Sequence, residues 1–357
     1  MDKTWQKNAR RIVEGLAVQP GELIEVRDNS GRPDVLLETL LAIERVGATP
    51  LLQFIPSDYL ERLISEVPAD YLSNWDLHRG KWMKQIDRIL FLAGARPDLS
   101  LAPKDGLHAW QLANDRLSVI EEARRLPFLL VAVPTEKGAK QLGFTLDHFE
   151  KVLLPALGAS IEELQNEIGR VLMKVGNGRS ITIYTGDNNV LHLEQGDREW
   201  LSDDGLIDDA DQRRGAIVSN LPAGSIYTTV IEDKTEGSLW LPKAGETTDV
   251  VFRFTSGRIV EIEAASGADL LIQQVDSHTG EPRRVSHVGI GLNPYLLEPT
   301  GWILIDEHIR GSLFIALGEN RYMGGQNESS LNIDFALANA TLKVDDQIIV
   351  SDGKVII

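Results

Sequence analysis

The hydrophobic and polar positions repeat with two different periods along the chain, one in each half. In the first half, apolar residues recur at helical spacing in the stretches 3–17, 33–46, 57–66, 106–125, 145–155 and 159–174. Between them lie short apolar runs typical of buried strands, namely "ELIEV", "PLLQFI", "RILFLAG" and "PFLLVAVPT". Strands that alternate with helices predict a parallel sheet covered on both faces.

The pattern changes after "KVGNGRS", where helical periodicity gives way to short β-rich runs between Gly, Asp and Asn turns. These runs include "SITIYTG", "VLHLE", "VVFRF", "IVEIEA", "WILIDE", "SLFIALG", "LKVDD", "QIIV" and "KVII". The boundary is expected near Val175 to Arg179. The chain is therefore predicted to fold as an N-terminal α/β domain, residues 1–176, and a mostly antiparallel, β-rich α+β domain, residues 177–357, that carries the active site.

Composition narrows the classes of function. The 357 residues include 36 Lys and Arg against 53 Asp and Glu, a formal charge of −17, which argues against a nucleic-acid partner. With no cysteine, the chain has no disulfide, thiolate metal site, iron–sulfur cluster or cysteine nucleophile. The first residues lack an apolar signal segment, and the longest apolar runs are too short to span a bilayer. We expect a cytoplasmic enzyme or binding protein with a small-molecule ligand and no membrane partner.

Polar residues at three loop–strand junctions are the candidates for chemistry. "SNLPAGSIYTT" sets Ser225 at the head of a strand, and "SHVGIGLNP" places His287 before a strand whose alternate glycines allow close approach. In "GGQNESSLNIDFAL", Asn332 and Asp334 alternate with apolar residues and face the same side of a strand. Taken singly, these stretches are also compatible with a hairpin, a satisfied histidine and a solvated strand face.

The same segments carry a resemblance to a known family. "NLPAGS", "HVGIGLNP", "LIDEHIRGSLFIALG" and "GGQNESSLNIDFAL" resemble the sequence blocks of the thermophilic metallo-aminopeptidases, the aminopeptidase T family, over most of residues 205–355. Those enzymes hold two metal ions with two glutamates, two histidines, a tyrosine and an aspartate. The resemblance implies an aminopeptidase T-like second domain and a homodimer whose active site is closed by the first domain and the partner.

Most of the family's metal ligands are replaced in this chain. The resemblance places Asp334 on the family's aspartate and Tyr322 one residue beyond its tyrosine. Ser225 and His287 stand at the positions of the two glutamates, and Phe314 and Asn332 stand at those of the two histidines. Because divalent ions require carboxylates and imidazoles, a two-metal aminopeptidase site is disfavoured.

A second branch of the superfamily resembles the chain more closely at the site. The 2,5-dihydroxypyridine 5,6-dioxygenases hold one ferrous ion with a histidine from the block matching "HVGIG" and a His-x-Asp pair from the block matching "NIDF". The chain is similar to them at His287 and Asp334 and departs at Asn332, where their second histidine stands. An amide is a weaker ligand for iron than an imidazole.

Three hypotheses follow. In the first, one divalent ion, Fe, Mn or Zn, is held by His287 and Asp334 with Asn332, Tyr322 or His308. This ion would support hydrolysis or ring opening of a small substrate, and one form of the hypothesis takes that substrate to be aromatic or heterocyclic. In the second, Ser225, His287 and Asp334 form a metal-independent hydrolase triad. In the third, the chain is a catalytically silent binder of small molecules.

The neighbouring residues complete the predicted site. Asp306 or Glu307, in "LIDEHIRG", is expected to support a ligand or bind a substrate amine, unless the pair simply faces water. Phe314 would make the cleft drier and suit a planar substrate. The remaining histidines match no block and are expected to be ordinary: His78, His108, His148, His192 and His278.

Overall fold

The computed structural model describes residues 3–245 and 247–356, and the chain divides into two compact units. One unit comprises the residues up to Gly158 together with Gly205–Pro222, and the other comprises Ala159–Asp204 together with the residues from Ala223 onward. The domain boundary expected near residues 176 and 177 stays a prediction, because compact units need not coincide with segments that fold independently.

The helices are short to medium in length, and within the described residues none is long and apolar enough to cross a membrane. In chain order they are α1 (Lys3–Gly15), α2 (Pro33–Val46), α3 (Tyr59–Glu66), α4 (Ala69–Leu72), α5 (Asp76–Trp82), α6 (Lys104–Arg124), α7 (Glu136–Gln141), α8 (Leu146–Leu157), α9 (Ile161–Val175), α10 (Asp209–Arg214), α11 (Ala268–Asp276) and α12 (Ile303–Asp306).

The strands are distributed over three sheets. In chain order they are β1 (Leu23–Asp28), β2 (Thr49–Phe54), β3 (Arg88–Ala93), β4 (Phe128–Ala132), β5 (Ser180–Thr185), β6 (Asn189–Glu194), β7 (Leu201–Asp203), β8 (Val218–Leu221), β9 (Ser225–Thr229), β10 (Glu236–Ala244), β11 (Thr247–Thr255), β12 (Arg258–Ser266), β13 (Val285–Gly291), β14 (Leu313–Gly318), β15 (Asn332–Leu337), β16 (Thr341–Val344), β17 (Gln347–Ser351) and β18 (Lys354–Val355).

The first unit is built on a parallel sheet in the order β2-β1-β3-β4-β8. Its central strands carry side chains with no exposed surface, such as Val26, Leu90 and Leu129. Strands buried on both faces need helices on both sides, which explains the near-continuous apolar runs in the sequence. The predicted parallel α/β sheet is confirmed.

The second unit contains two antiparallel sheets. The larger has the order β12-β11-β10-β6-β5-β16-β17-β18, and the smaller has the order β15-β14-β13-β9-β7. Apolar residues of the two sheets form one buried cluster, in which the rings of Phe252 and Phe335 meet edge to face with centroids 5.6 Å apart. The expectation of a mostly antiparallel, β-rich second half is confirmed.

Three helices of the second half differ from the sequence-based expectation, the first being α10 (Asp209–Arg214), which no periodic pattern predicted. "WILIDE" was expected to be a strand, but Ile303–Asp306 forms the short helix α12. The Asp306 carboxylate accepts hydrogen bonds from Thr300 N, Thr300 Oγ1 and Gly301 N, which fold the chain back on itself and stop it from extending. Helix α11 was not predicted, since its two turns give too short a periodic signal.

Candidate functional site

The polar residues singled out in the sequence lie on one face of the smaller antiparallel sheet. On β14 and β15 the alternate residues, among them Ile315 and Phe335, point into the buried cluster. Asp334 pairs with Ala316, and Asn332 pairs with Gly318, so these residues occupy the opposite face. Strand pairing thus gathers the candidate residues on the side of the sheet that does not form the core.

His287 and Asp334 meet on this face across the intervening strand β14. Nε2 of His287 lies 3.0 Å from Oδ1 of Asp334, although the two groups are not aligned for a hydrogen bond. His287 is buried, whereas about a fifth of the Asp334 side chain is exposed. Ala316, the β14 residue opposite Asp334, has a small side chain that leaves room for this contact. The pairing brings together two groups that both bind divalent ions.

The other ring nitrogen of His287 is held by its neighbour in the chain. Nδ1 lies 3.0 Å from the hydroxyl of Ser286, which in turn donates to the backbone oxygen of Glu319 at 2.6 Å. The pairing of β13 with β14 shifts register between Val285 and Val288, so Ser286 and His287 occupy a bulge. Bulges re-aim side chains near functional sites, and this one directs the imidazole toward Asp334.

Aromatic rings flank the imidazole on both sides. The rings of Tyr227 and Phe314 each meet His287 edge to face, with centroids 5.8 Å away. A Cβ atom at Gly289 would come within 2.0 Å of the Phe314 ring and 2.6 Å of the backbone oxygen of Ile226. The glycines of "GIGLNP" therefore serve close packing, as predicted, and the ring of Phe314 occupies the space over Gly289.

Asn332 and Tyr322 form the outer side of the site. The amide nitrogen of Asn332 donates to the Tyr322 hydroxyl at 3.2 Å, which leaves the amide oxygen outside that bond. Burial of the phenol oxygen, followed by the negative charge of Asp334, raises the pKa of Tyr322 to about 12. More than half of the Tyr322 surface is nevertheless exposed, so burial is confined to the hydroxyl end. Without a metal ion Tyr322 is a neutral phenol at physiological pH.

Ser225 lies at the other end of the same sheet. It pairs with Gly291 of β13 and with Asp203 of β7, whereas His287 pairs with Thr229. Four residues along β13 separate Gly291 from His287, which corresponds to about 13 Å. The register therefore does not bring Ser225 to His287 and Asp334, and the three predicted triad members are not adjacent.

His308 also belongs to the Ser225 end of the sheet. It is almost fully buried, and its Nε2 lies 3.3 Å from Oε1 of Glu307 and 3.9 Å from Oδ2 of Asp203. Burial alone would lower the pKa of His308. The carboxylates of Glu307 and Asp203 raise this pKa by a larger amount, so the net shift is upward. Since Asp203 is the register partner of Ser225, His308 faces a different part of the sheet from Asp334.

Sequence reasoning missed a polar network behind the bulge. Asn320, which is fully buried, donates through its amide nitrogen to Glu232 Oε1 and to the backbone oxygen of Ser286, both at 3.2 Å. Glu232 also accepts two hydrogen bonds from Arg198, at 3.0 and 3.1 Å. Ser286 stands next to His287 in the sequence and could have been noticed. Asn320 and Glu232 are 88 residues apart, and no local pattern links them.

The described residues contain no group of three or more His, Asp or Glu side chains arranged to hold a metal ion. Within residues 3–245 and 247–356, no second group of such side chains takes the place of the aminopeptidase ligands that the sequence lacks. Any ion at this face would depend on His287 and Asp334 together with a donor of another type.

Comparison with known proteins agrees with this architecture. The family model described as NicX, 2,5-dihydroxypyridine 5,6-dioxygenase, matches residues 213–357, which include every residue of the site described above except Arg198 and Asp203. No curated protein matches the chain. The matched region includes β13, β14 and β15, on which the His287–Asp334 contact is built.

Two solved structures share the fold over nearly the whole chain. Wild-type AmpT from Thermus thermophilus has a TM-score of 0.78 at 18% sequence identity, covering 99% of both chains. The 2,5-dihydroxypyridine dioxygenase from Pseudomonas putida KT2440 has a TM-score of 0.62 at 15% identity, covering 99% of this chain and 96% of the other. The predicted resemblance to the aminopeptidase T superfamily and its dioxygenase-like branch is confirmed, and at these identities the structures show the fold alone.

Asp306, a candidate for substrate binding, is held in a structural role that can be tested. Replacing it with alanine is expected to lower the free energy of unfolding by roughly 3 kcal/mol, because the buried donors of Thr300 and Gly301 would lose a charged acceptor. Urea denaturation measures the change, and the exposed Asp346→Ala variant is the control. Unchanged stability of Asp306→Ala would show that the carboxylate does not hold α12 in place.

The close packing of Phe314 over Gly289 gives a second prediction. Gly289→Ala is expected to destabilise the protein by roughly 2 kcal/mol, because the new methyl group overlaps the ring. In a Phe314→Leu background the same substitution should cost less, although the contact with Ile226 O would remain. Gly169→Ala, at a helical glycine with open space around it, is the control. Equal losses in both backgrounds would contradict the proposed packing.

Proposed function

We propose that this chain, whose fold is that of aminopeptidase T, binds a single divalent metal ion, Fe, Mn or Zn, through His287, Asp334 and Asn332. We further propose that it acts on a small hydroxylated aromatic or heteroaromatic substrate, by ring opening or hydrolysis. The observation that carries the proposal is the 3.0 Å approach of His287 Nε2 to Asp334 Oδ1 without the alignment of a hydrogen bond.

The geometry of that approach fits a shared ion. Nitrogen and oxygen ligands lie about 2.1 Å from first-row divalent ions, so two ligands at the right angle of an octahedral site are about 3.0 Å apart. A directly bonded imidazole and carboxylate would instead align the donor hydrogen with the acceptor oxygen. Two lone-pair donors that approach closely without such alignment are arranged as neighbouring ligands of one cation.

The third donor is the amide oxygen of Asn332. It lies on the same strand face as Asp334, two residues away, and the bond from its nitrogen to Tyr322 fixes the amide plane. An amide oxygen is a weak ligand compared with imidazole. We therefore expect a site that holds its ion less tightly than a set of two histidines and a carboxylate would.

The remaining residues of the site suit a flat, oxygen-bearing substrate. Tyr227 and Phe314 supply ring faces and edges beside His287, which favour an aromatic ligand. The neutral Tyr322 hydroxyl accepts a hydrogen bond from Asn332, so its own proton can be donated to a substrate oxygen. When bound, the metal ion would supply Lewis acidity that polarises such an oxygen.

The comparisons support this reading over the alternatives. The matching family model and one of the two similar structures are named for 2,5-dihydroxypyridine dioxygenases, which act on a small hydroxylated heterocycle. A serine triad is not favoured, because the sheet register separates Ser225 from His287. Asp306 is occupied by hydrogen bonds within its own turn, and Glu307 lies 3.3 Å from His308 at the Ser225 end of the sheet, so contact with a substrate amine is not part of the proposal. A cytoplasmic homodimer remains part of the proposal.

Metal binding is the first test of the proposed function. We expect metal-free protein to bind one equivalent of Fe(II) or Co(II) per chain under anaerobic conditions. His287→Ala and Asp334→Asn should each weaken binding by more than about 100-fold, because each leaves one strong donor. Titration calorimetry and the visible spectrum of Co(II) measure this.

His192→Ala is the matched control for loss of a histidine, since His192 lies on β6, in the other antiparallel sheet of the second unit. The Fe(II) protein is then incubated with 2,5-dihydroxypyridine and oxygen, and loss of the ring absorbance is followed. Absence of any bound ion in folded wild-type protein would remove the metalloenzyme proposal and leave the silent small-molecule binder.

Restoring an imidazole at Asn332 is the second test. Asn332→His is expected to tighten Fe(II) and Co(II) binding by about 10- to 100-fold, because a third strong donor joins His287 and Asp334 on the same face. Asn189→His, at the start of β6, is the control for an added histidine elsewhere. If Asn332→His binds no more tightly than the wild type, Asn332 does not stand beside the ion.

A further inference from the structure

The hydroxyl of Ser286 bridges His287 and a backbone carbonyl. Its oxygen lies 2.6 Å from the backbone oxygen of Glu319 and 3.0 Å from Nδ1 of His287, and Ser286 has no exposed surface. A serine hydroxyl has one hydrogen to donate and lone pairs to accept. The group that receives this hydrogen determines which ring nitrogen of His287 carries a proton.

The carbonyl settles the direction of both bonds. The oxygen of Glu319 can only accept, so the single hydroxyl hydrogen of Ser286 must point to it. The short contact with His287 Nδ1 is then satisfied only if the ring nitrogen donates its own hydrogen to Ser286. In a neutral imidazole this places the proton on Nδ1 and leaves the lone pair on Nε2, the nitrogen that lies 3.0 Å from Asp334.

This arrangement also accounts for the poor alignment between His287 and Asp334. A neutral imidazole with its proton on Nδ1 has no hydrogen on Nε2 to give to the carboxylate. Two atoms that carry lone pairs and no hydrogen would then lie 3.0 Å apart, which is unfavourable unless one cation binds both. The bond to Ser286 therefore prepares Nε2 as a ligand atom.

The Ser286 backbone is fixed by the network behind the bulge. Asn320 donates to the backbone oxygen of Ser286, and its own side-chain oxygen accepts from Asn327 N at 2.7 Å. A Cβ at Gly325 would come within 2.0 Å of the Asn320 side chain, so only glycine fits there. Although partial burial raises the pKa of Glu232, hydrogen bonds from Gln326 N and Asn320 and the Arg198 charge hold it below its usual value.

We propose that Ser286 is a positioning residue that sets the tautomer of His287, with the proton on Nδ1 and Nε2 free to bind a metal ion. The proposal rests on the proposed function, because the role of Nε2 as a ligand depends on an ion at this site. In this proposal, the segment "GENRYMGGQN" holds Asn320 and the Glu319 carbonyl in place behind the bulge.

The tautomer can be read directly from the wild-type protein. Protein labelled with ¹⁵N in its histidine rings is studied without metal at pH 8, and His287 is assigned by the signals that vanish in His287→Ala. The two-bond ¹H–¹⁵N pattern is expected to show the proton on Nδ1. In Ser286→Ala the pattern should shift toward a proton on Nε2, whereas Ser286→Thr, which keeps the hydroxyl, should resemble the wild type.

Metal affinity provides the second readout. Ser286→Ala is expected to weaken Co(II) binding by about 10- to 100-fold, the range found when the partner of a ligating histidine is removed, and Ser286→Thr by no more than about twofold. Thr182→Ala is the matched control, since its hydroxyl lies 3.2 Å from Nδ1 of His192, outside the site. That variant should bind Co(II) as the wild type does.

The outcomes separate this inference from the proposed function. A proton on Nε2 of His287 in the wild type would overturn the inference even if Ser286→Ala does not fold. Provided that His287→Ala does weaken Co(II) binding, equal Co(II) affinity in Ser286→Ala and the wild type would overturn it as well. If His287→Ala binds Co(II) as tightly as the wild type, the metal site fails, while the tautomer measurement still decides whether Ser286 orients the ring.

Discussion

The register of β13 is the constraint on which the candidate site depends. Between Val285 and Val288 the strand bulges against β14, while on its other side His287 stays paired with Thr229 of β9. The buried apolar cluster holds both neighbours in place, and a slip of one residue would turn that apolar face toward solvent. The imidazole is therefore aimed at Asp334 by the packing of the opposite face of the same sheet.

The bulge requires polar partners that a regular strand would not need. Hydrogen bonds from the side chains of Ser286 and Asn320 replace the missing ladder bonds. Asn320 also donates to Glu232, which in turn accepts from Arg198. Partly buried charges are stabilised when they are paired and hydrogen-bonded, and Glu232 meets both conditions with Arg198. The same network that satisfies the backbone keeps the ring of His287 in one orientation, so stability and chemistry share their contacts.

Phe314 gives this face of the sheet an apolar aromatic ring next to His287. Phe314 is nearly fully buried and lies over Gly289, where it fills space beside His287 without offering a ligand atom. His287, which approaches the Asp334 carboxylate, therefore lies beside two aromatic rings, those of Tyr227 and Phe314. In the proposed function, such a setting suits a planar substrate that is held by ring contacts and oriented by a few polar atoms.

The sequence by itself determined the classes of element, because apolar residues at period 3.6 or period 2 report which face is buried. It also indicated the β-rich second half and the residues His287, Asn332 and Asp334. Only the tertiary structure decided which of these meet. Strand register separates Ser225 from His287, and Asp306, expected in a strand, closes a helical turn. Asn320 and Glu232 lie 88 residues apart in sequence, and contacts between distant segments leave no trace in local periodicity.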